Sequence, residues 1–329
     1  MYLLREARLE DIDQLLELSK VGMTSLPTRK EEMQKKIEHS IASFASETSR
    51  PTGCYLFSLE DTLTGKVVGT SAISAEGSPI PTFRIVVEPL PEVTIPHPHD
   101  STLLELHTDR AKASELCGLV LTESAQSKGI GHLLSKGRFF YIADHLSRFE
   151  TSLFADIRGV ISHEGDSVFW EGIEKNFCPL SFAEVEEIYR TKPKELFPLF
   201  PSHPIYLSLL PKEVRDVVGV PHEKSEGALQ ILIKEGFHIT DEIHPLDGGP
   251  RVQAPLLGIK SIREAKVARV VNREPEHGFR SLIARTSGSF LACQSTVEEL
   301  ADSVLAIPGE AFECLELTED DTVRYLRLK

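Results

Sequence analysis

A short glycine-rich turn between an apolar stretch and a helix pattern is the part of this sequence best suited to bind a ligand. Leu116–Leu121 predicts a buried strand, and Gln126–Gly131 reads Gln-Ser-Lys-Gly-Ile-Gly at the start of the helix pattern. Glycine lets backbone N–H groups approach a ligand that a β-carbon would block. The first turn of a helix also carries unpaired N–H donors and a partial positive charge, which together favour an anion such as a diphosphate.

Lys128 would add a full positive charge to such a site, so Gln126, Lys128, Gly129 and Gly131 are candidate ligand-binding residues. A Gly-x-Gly pair alone is a weak signal, because a tight turn with helix-packing glycines has the same sequence. A dinucleotide fingerprint needs a third glycine and a downstream acidic residue, and a P-loop needs Gly-Lys-Ser/Thr. Neither pattern is present, so the turn predicts an anion site of another kind.

The composition is that of a globular protein with an acidic surface. The 329 residues include 36 basic and 50 acidic side chains, for a formal net charge of −14. Non-specific nucleic-acid binding and binding to an anionic membrane both depend on basic surfaces, so neither partner is expected. The length predicts one large domain or two smaller ones.

The cysteines and the amino-terminal residues predict a cytoplasmic protein. Five cysteines at 54, 117, 178, 293 and 314 form no pair with metal-ligand or redox spacing, which is typical of reduced thiols. The first residues carry charges from Arg5 onward, unlike a secretory signal. No apolar run reaches the ~18 residues that a membrane span needs.

Hydrophobic periodicity predicts alternating helices and strands over the first three quarters of the chain. The predicted strands are 2–9, 55–59, 67–73, 83–87, 103–107, 116–121, 153–157, 238–244 and 252–256, and the predicted helices are 10–19, 29–44, 130–149, 168–177 and 227–234. Residues 178–225 are rich in proline and predict short helices in an excursion from the main fold.

After Lys260 the pattern changes to short strands separated by turns. The predicted strands are 267–271, 281–284, 290–293 and 322–328, and only Thr296–Leu305 predicts a helix. We therefore expect a main domain over 1–258, with the helical excursion at 178–225, and a small β-rich, barrel-like segment over 259–329.

The turn at Gln126–Gly131 resembles the coenzyme A loop of GNAT-type N-acyltransferases. The order of the surrounding elements is also similar to that fold: a strand, two helices, three or four antiparallel strands, and then the helix that follows the loop. The resemblance implies an α+β, GNAT-like acyl-CoA N-acyltransferase fold with a helical insertion. It also implies that the anion at the turn is the diphosphate of an acyl-CoA.

Short matches along the whole chain are similar to the arginine N-succinyltransferase family. They include Thr24-Ser-Leu-Pro27, Ser114-Glu-Leu-Cys117, Leu133-Leu-Ser-Lys136, Arg158-Gly-Val160, Phe169-Trp170, His203-Pro-Ile-Tyr206, His222, Glu235-Gly-Phe237 and Asp247-Gly-Gly-Pro250. The resemblance implies transfer of succinyl from succinyl-CoA, as co-substrate and without a metal, to the α-amine of L-arginine. It also implies that Leu119 contacts succinyl-CoA and that His222 is the proton donor. Because family members associate, it leaves a homo-oligomer open.

The sequence departs from the family pattern where the acceptor or the acyl tail would be recognised. The changes lie at Val21-Gly22-Met23, Pro81-Thr82-Phe83-Arg84 and Thr108–Ala113, and they leave the loop and His222 intact. Acyl-CoA chemistry is therefore a firmer expectation than arginine as acceptor or succinyl as donor. An acyltransferase for another amine or acyl group remains an alternative, as does a CoA-binding protein without turnover.

Other side chains compete for catalytic roles in the sequence. Cys117 suggests an acyl-enzyme, but a thiol buried in an apolar strand is inert, which favours direct transfer. A metal site at His97, His99 and His107 lacks a supporting ligand set. Carboxylates at Glu60, Asp61 and Glu115 are candidates to hold a cationic side chain, although most carboxylates are simply solvated. Arg158 is a candidate for the succinyl carboxylate through the family resemblance only.

Overall fold

A computed structural model describes the chain over residues 1–20, 26–47, 50–78, 80–92, 95, 100–108, 112–126, 129–300, 303–319 and 321–328. Within these residues the strands are β1 (Tyr2–Glu6), β2 (Cys54–Asp61), β3 (Lys66–Ser74), β4 (Thr82–Pro89), β5 (Asp100–His107), β6 (Ser114–Leu121), β7 (Ser152–Asp156), β8 (Ile205–Tyr206), β9 (His238–Ile243), β10 (Pro250–Pro255), β11 (Lys266–Asn272), β12 (Phe279–Arg285), β13 (Leu291–Glu299), β14 (Val304–Ile307) and β15 (Thr322–Arg327). The helices are α1 (Ile12–Ser19), α2 (Lys30–Ala45), α3 (Glu123–Gln126), α4 (Gly131–Asp144), α5 (Val168–Gly172), α6 (Phe182–Thr191), α7 (Lys212–Arg215), α8 (Glu226–Glu235), α9 (Lys260–Glu264) and α10 (Gly309–Cys314).

The strands join into one twisted sheet whose order is β12-β15-β11-β14-β13-β1-β2-β3-β6-β7-β10-β9-β4-β5-β8. Most neighbours are antiparallel, and β6–β7 and β11–β14 are parallel. Strand β12 also pairs with β13, which closes β11 to β15 into a five-stranded barrel. Because β13 pairs with β1 as well, the barrel is continuous with the main sheet.

Helices cover both faces of the main sheet. Tyr55, Phe57 and Leu59 of β2 pack with Leu133 and other residues of α4 in the largest apolar cluster. The alternate residue Leu56 packs with α1 and α2 in a separate cluster on the opposite face. Successive side chains of a strand point to opposite faces, so a nearly continuous apolar strand is what a sheet covered on both sides requires.

The predicted helical insertion is present, and its bounds at 178–225 stay a prediction. Residues 178–225 contain α6, α7, short 3₁₀ turns and the two-residue strand β8, and they pack through apolar clusters against Phe83 and Leu104 of the sheet. No described helix is long and apolar enough to cross a bilayer.

The helix predicted over Thr296–Leu305 is wrong. Residues up to Glu299 extend β13, and β14 begins at Val304. Val297 and Leu305 are buried at a spacing that suits a helix, but Val297 pairs with Phe279 of β12 and Leu305 pairs with Glu299. The pairing that closes the barrel therefore decides the conformation. The sequence interpretation also missed α10, where Ala311 and Phe312 are buried against the barrel.

Candidate active site

Two parallel strands separate at the centre of the sheet and open a cavity between them. Strands β6 and β7 pair only at Ser114 with Leu153 and at Glu115 with Phe154. Beyond these pairs, Leu116–Leu119 and Ala155–Arg158 line a cavity of about 160 Å³. The edge of β6 that faces the cavity therefore has backbone groups without a strand partner, and such groups bind a ligand that offers complementary hydrogen bonds.

A β-bulge distorts β6 where it passes the cavity. Thr70 of β3 pairs with Val120 but Ala72 pairs with Cys117, so Gly118 and Leu119 together oppose one residue. Gly118 has a φ of +59°, a conformation that glycine adopts without steric cost. The bulge changes the direction of the backbone at Leu119, which lines the cavity and is half-buried. This is the position that the family resemblance assigned to succinyl-CoA.

Two of the short family matches pack against each other beside the cavity. A β-carbon on Gly159 would lie 2.1 Å from the carbonyl oxygen of Asp247, and one on Gly249 would lie 2.0 Å from that of Ile157. Only glycine permits this close approach of two backbone segments. The approach holds Arg158 and Asp247 at the same wall of the cavity.

The same wall holds His222. Gly159 forms a β-bridge with Pro221, and the backbone N–H of His222 donates to the carbonyl of Arg158 at 2.8 Å. The Nδ1 atom of His222 accepts a hydrogen bond from the backbone N–H of Lys224 at 3.1 Å, so a neutral ring carries its proton on Nε2. Ser225 and Arg158 line the cavity, whereas His222 is not among the described lining residues and lies next to them.

Four carboxylates line the cavity, and three of them are engaged by cations. Arg251 binds Asp156 through two hydrogen bonds of 2.7 and 2.9 Å. The Nη1 atom of Arg158 lies 2.5 Å from Oε1 of Glu186 and 3.5 Å from Oδ2 of Asp247. The fourth is Glu115, which has no hydrogen-bond or ion-pair partner within the described part of the chain. Burial, and then the charge of Asp156, raise the pKa of Glu115 to about 7.

Asp247 is the most strongly stabilised of these anions. Burial opposes its ionisation, but His244 at 3.4 Å, Arg158 and the backbone N–H of Gly249 lower its pKa to about 2. Asp247 therefore fixes the orientation of two cationic side chains, and with them the wall of the cavity.

We expect Asp247→Asn to lower the free energy of unfolding at pH 7 by about 2–4 kcal/mol, because it leaves the buried His244 without its anion and removes one of the two carboxylates beside Arg158. The folded-state pKa of about 2 lies below the unfolded value of about 4, so the contribution is present above pH 4 and disappears as the pH falls towards 2. Urea unfolding of both proteins between pH 2 and pH 7 measures this. A difference in stability that does not shrink on acidification would contradict the assignment, and Asp216→Asn, at an exposed surface pair, is the matched control.

The predicted anion site lies at the amino end of α4. Gly129 has a φ of +69° with open space around it, and it leads into Ile130 and Gly131 at the start of the helix. Among the residues that the structure describes, no side chain caps the helix at Ile130, which leaves its first N–H groups available to a ligand. Gln126 is exposed and donates from Nε2 to the carbonyl of Leu121 at 3.3 Å, which steadies the turn. Lys128 lies outside the described residues.

The comparisons with known proteins agree along the whole chain. A family model described as "Arginine N-succinyltransferase beta subunit" matches residues 2–261, and one described as the C-terminal domain of that subunit matches residues 263–327. The chain belongs to the arginine N-succinyltransferase family. The family resemblance inferred from the sequence is therefore confirmed, and with it the enzyme class, an acyltransferase.

Individual relatives of this family member cover nearly its full length. Arginine N-succinyltransferases from Escherichia coli (strain 55989) and Shigella sonnei are each 30% identical over 351 residues, covering 100% of this chain and 98% of the relative. The solved structure of arginine/ornithine succinyltransferase subunit AI from Pseudomonas aeruginosa is 28% identical, with a TM-score of 0.88, and the match covers 99% of this chain and 98% of that one. This match confirms the predicted α+β acyltransferase fold. The division of the chain at residue 258 stays a prediction.

Of the other residues that the sequence offered for catalytic roles, Cys117 lies at the cavity, whereas Glu60, Asp61 and His107 do not line it. Cys117 lines the cavity, and burial followed by the charge of Glu115 raises the pKa of its thiol, which favours the predicted absence of an acyl-enzyme. Glu60 is engaged by Arg5 at 2.7 Å, and Asp61, the last residue of β2, accepts a hydrogen bond from the backbone N–H of Leu63 in the turn that follows. His107 lies 3.0 Å from Arg84, away from the cavity, and His97 and His99 fall outside the described residues.

Several residues that line the cavity could not be predicted as site residues from the sequence pattern. Glu186, Tyr189 and Arg190 come from α6, in the excursion whose pattern indicated only short helices. His244 follows β9 and forms its ion pair with Asp247 only because β9 and β10 are joined by a turn that reverses the chain. A polar stripe on one side of α6, facing the sheet instead of the solvent, is visible only in the folded chain.

Proposed function

We propose that this chain transfers the succinyl group of succinyl-CoA to the α-amine of L-arginine, by direct attack and without a covalent enzyme intermediate. The observation that carries this proposal is one cavity lined by the bulged strand β6 and by Glu115, which has no partner among the described residues. His222 lies next to the lining residues, and α4, whose amino end is open, lines the cavity through Ser135 and Arg138. Family membership and the names of the relatives support the donor and the acceptor.

The amino end of α4 and the gap between β6 and β7 would hold the two ends of the carrier arm. The N–H groups at Gly129–Gly131 suit a diphosphate, and the unpaired edge of β6 suits the amide groups of a pantetheine. An N–H group of the bulge near Leu119 would stabilise the thioester oxygen as it gains negative charge. Loss of one such donor typically lowers a rate about 10²–10³-fold.

Glu115 would accept a proton from the acceptor, and His222 would stabilise the leaving sulfur. Glu115 takes a proton from the acceptor ammonium, so that the nitrogen lone pair can form the new amide bond with the succinyl carbonyl carbon. As the carbon–sulfur bond breaks, the second proton of the attacking nitrogen passes to the departing CoA sulfur. A neutral imidazole cannot give up its only N–H proton, so the Nε2–H of His222 acts by donating a hydrogen bond to that sulfur as it gains negative charge. Glu115 then releases its proton to solvent, so that of the two protons lost by the nitrogen one is on the thiol and one is in solvent.

Arg158 would recognise the free carboxylate of the succinyl group. Its Nε atom is buried and has no hydrogen-bond partner among the described residues, and the side chain lines the cavity. A planar guanidinium is well matched to a carboxylate. The five free cysteines and the acyl-CoA substrate support the expected cytoplasmic location.

Assay of thiol release from succinyl-CoA and from acetyl-CoA, each with a panel of amino acids, tests this function. We expect the highest kcat/KM with succinyl-CoA and L-arginine, and about a 10- to 100-fold lower value with acetyl-CoA, because one charge-assisted carboxylate contact is lost. A preference for acetyl-CoA would contradict the donor. Calorimetric binding of CoA without thiol release from any amine would replace the enzyme with a CoA-binding protein.

A further inference from the structure

A second and larger cavity lies where α4, α8 and α9 meet the C-terminal barrel. Its volume is about 710 Å³, within the range of about 300–1,000 Å³ that is usual for small-molecule sites. We call it the barrel groove, and its lining includes His132, Lys136, Lys234, Phe279 and Arg327. None of these residues belongs to the cavity between β6 and β7.

The barrel groove is cationic, although the chain as a whole carries a formal charge of −14. Its lining contains the cations Lys136, Lys234, Lys260, Lys266 and Arg327 and the anions Glu235, Glu264 and Glu299. Each anion forms an ion pair with one lysine: Glu235 with Lys136 at 2.8 Å, Glu264 with Lys260 at 3.9 Å, and Glu299 with Lys266 at 3.0 Å. Lys234 and Arg327 are exposed and have no carboxylate at ion-pair distance within the described part of the chain.

The positive charges of the barrel groove also act on His132, which is part of its lining. Burial, and then the charges of Lys136 and Lys234, lower the pKa of His132. Protonation of His132 is therefore opposed by the same charges that would attract an anion, and the groove offers Lys234 and Arg327 as uncommitted cations.

Aromatic and apolar groups line the same groove. The guanidinium of Arg327 lies over the ring of Phe279, 4.7 Å from its centroid, and Lys266 lies 6.0 Å from the centroid of Tyr325. Leu326 and Leu328 add apolar surface on the last strand and just beyond it. Rings and cations side by side suit a phosphorylated purine, which presents a flat face and a dianion together.

The groove begins where the predicted diphosphate site ends. His132 directly follows Gly131, and Lys136 lies one turn further along the same helix. In coenzyme A a single ribose carries the diphosphate, the adenine and the 3′-phosphate, so these groups lie close together. A diphosphate at Gly129–Gly131 therefore leaves the ribose next to the groove.

We propose that the barrel groove binds the 3′-phosphoadenosine end of the CoA substrate, with Lys234 and Arg327 at the 3′-phosphate and Phe279 beside the adenine. The proposal rests on the proposed use of an acyl-CoA. It gives the C-terminal barrel a role in substrate binding, since Phe279 and Arg327 belong to its strands β12 and β15.

Binding of CoA and of 3′-dephospho-CoA to the full chain, measured by calorimetry at one ionic strength, tests the groove. We expect the wild-type protein to bind dephospho-CoA about 10- to 100-fold more weakly than CoA. Lys234→Gln combined with Arg327→Gln should bind both compounds with the lower affinity. Lys192→Gln combined with Arg215→Gln makes the same charge change at exposed sites in the excursion and should keep the wild-type preference.

The outcomes separate this proposal from the proposed function. If the wild-type protein binds both compounds equally, or if the groove variant keeps the full preference for CoA, the groove assignment fails while acyl-CoA binding stands. If the wild-type protein binds neither compound, the proposed function fails as well, and the groove assignment with it.

Discussion

Glu115→Gln is expected to lower kcat about 10²–10⁴-fold while the protein still folds and binds CoA. The acceptor amine must lose a proton before it can attack, and Glu115 is the cavity carboxylate that no described cation already engages. The amide has nearly the same size and shape, so the change removes the proton acceptor and little else. Rates from thiol release, and CoA affinity from calorimetry, measure the two effects separately.

The pH profile gives this prediction a signature that a structural role would not produce. The groups whose charges act on Glu115 are Asp156, Arg251, Lys36 and His244, and burial is the largest cause of its raised pKa of about 7. The carboxylate is the active form, so kcat should rise with pH and level off above about 7 in the wild-type protein. In Glu115→Gln the rise should move to higher pH, where the free α-amine of the substrate, with a pKa near 8 or above, loses its own proton.

The matched control is Glu88→Gln, at an exposed position of β4 outside the cavity lining. We expect wild-type rates and an unchanged pH profile for this variant. Wild-type kcat in Glu115→Gln, or a profile with the same midpoint as the wild-type protein, would remove Glu115 from the role of proton acceptor.

Replacement of His222 is expected to produce the second largest loss, about 10²–10³-fold in kcat. The tautomer set by the hydrogen bond from Lys224 leaves a proton on Nε2, which can donate a hydrogen bond to the leaving sulfur as its negative charge develops. Affinity for CoA should change little, because the predicted diphosphate site lies on another element, at the start of α4.

Two variants separate the chemistry of His222 from its structural role. The side chain also accepts the hydrogen bond that begins a 3₁₀ turn, and asparagine at this position can accept the same bond. His222→Asn should therefore keep the wild-type stability and lose activity, whereas His222→Ala should lose activity and about 1 kcal/mol of stability. Full activity in His222→Asn would show that the side chain acts only as a cap.

The elements that carry the site were largely predictable, because each has a local pattern. The apolar run of β6, the glycines after it and the helix α4 follow one another in the chain, and the structure confirms the strand and the helix near the predicted bounds. The helix predicted over 227–234 is present as α8, and Gly236, with a φ of +103°, caps its carboxyl end.

The contacts that turn these elements into a cavity depend on residues far apart in sequence. In the sequence Glu115 resembles any other carboxylate, and only the folded chain buries it at the cavity between β6 and β7, where no described residue forms a hydrogen bond or ion pair with its carboxylate. The charged face of α6 meets Arg158 only after the excursion folds back on the sheet. Likewise, Thr296–Leu305 suits a helix locally, and only pairing with β12 and β14 fixes it as strand. Local sequence patterns specify the helices and strands. Contacts between residues far apart in the chain decide which polar side chains remain without a partner and can take part in catalysis.

A crystal structure with CoA and L-arginine bound would test the central claim most directly. We expect the diphosphate at the N–H groups of Gly129–Gly131, the sulfur beside Leu119, and the α-amine of arginine within hydrogen-bond distance of Glu115. A carrier bound on another surface, or an acceptor whose amine lies away from Glu115, would contradict it.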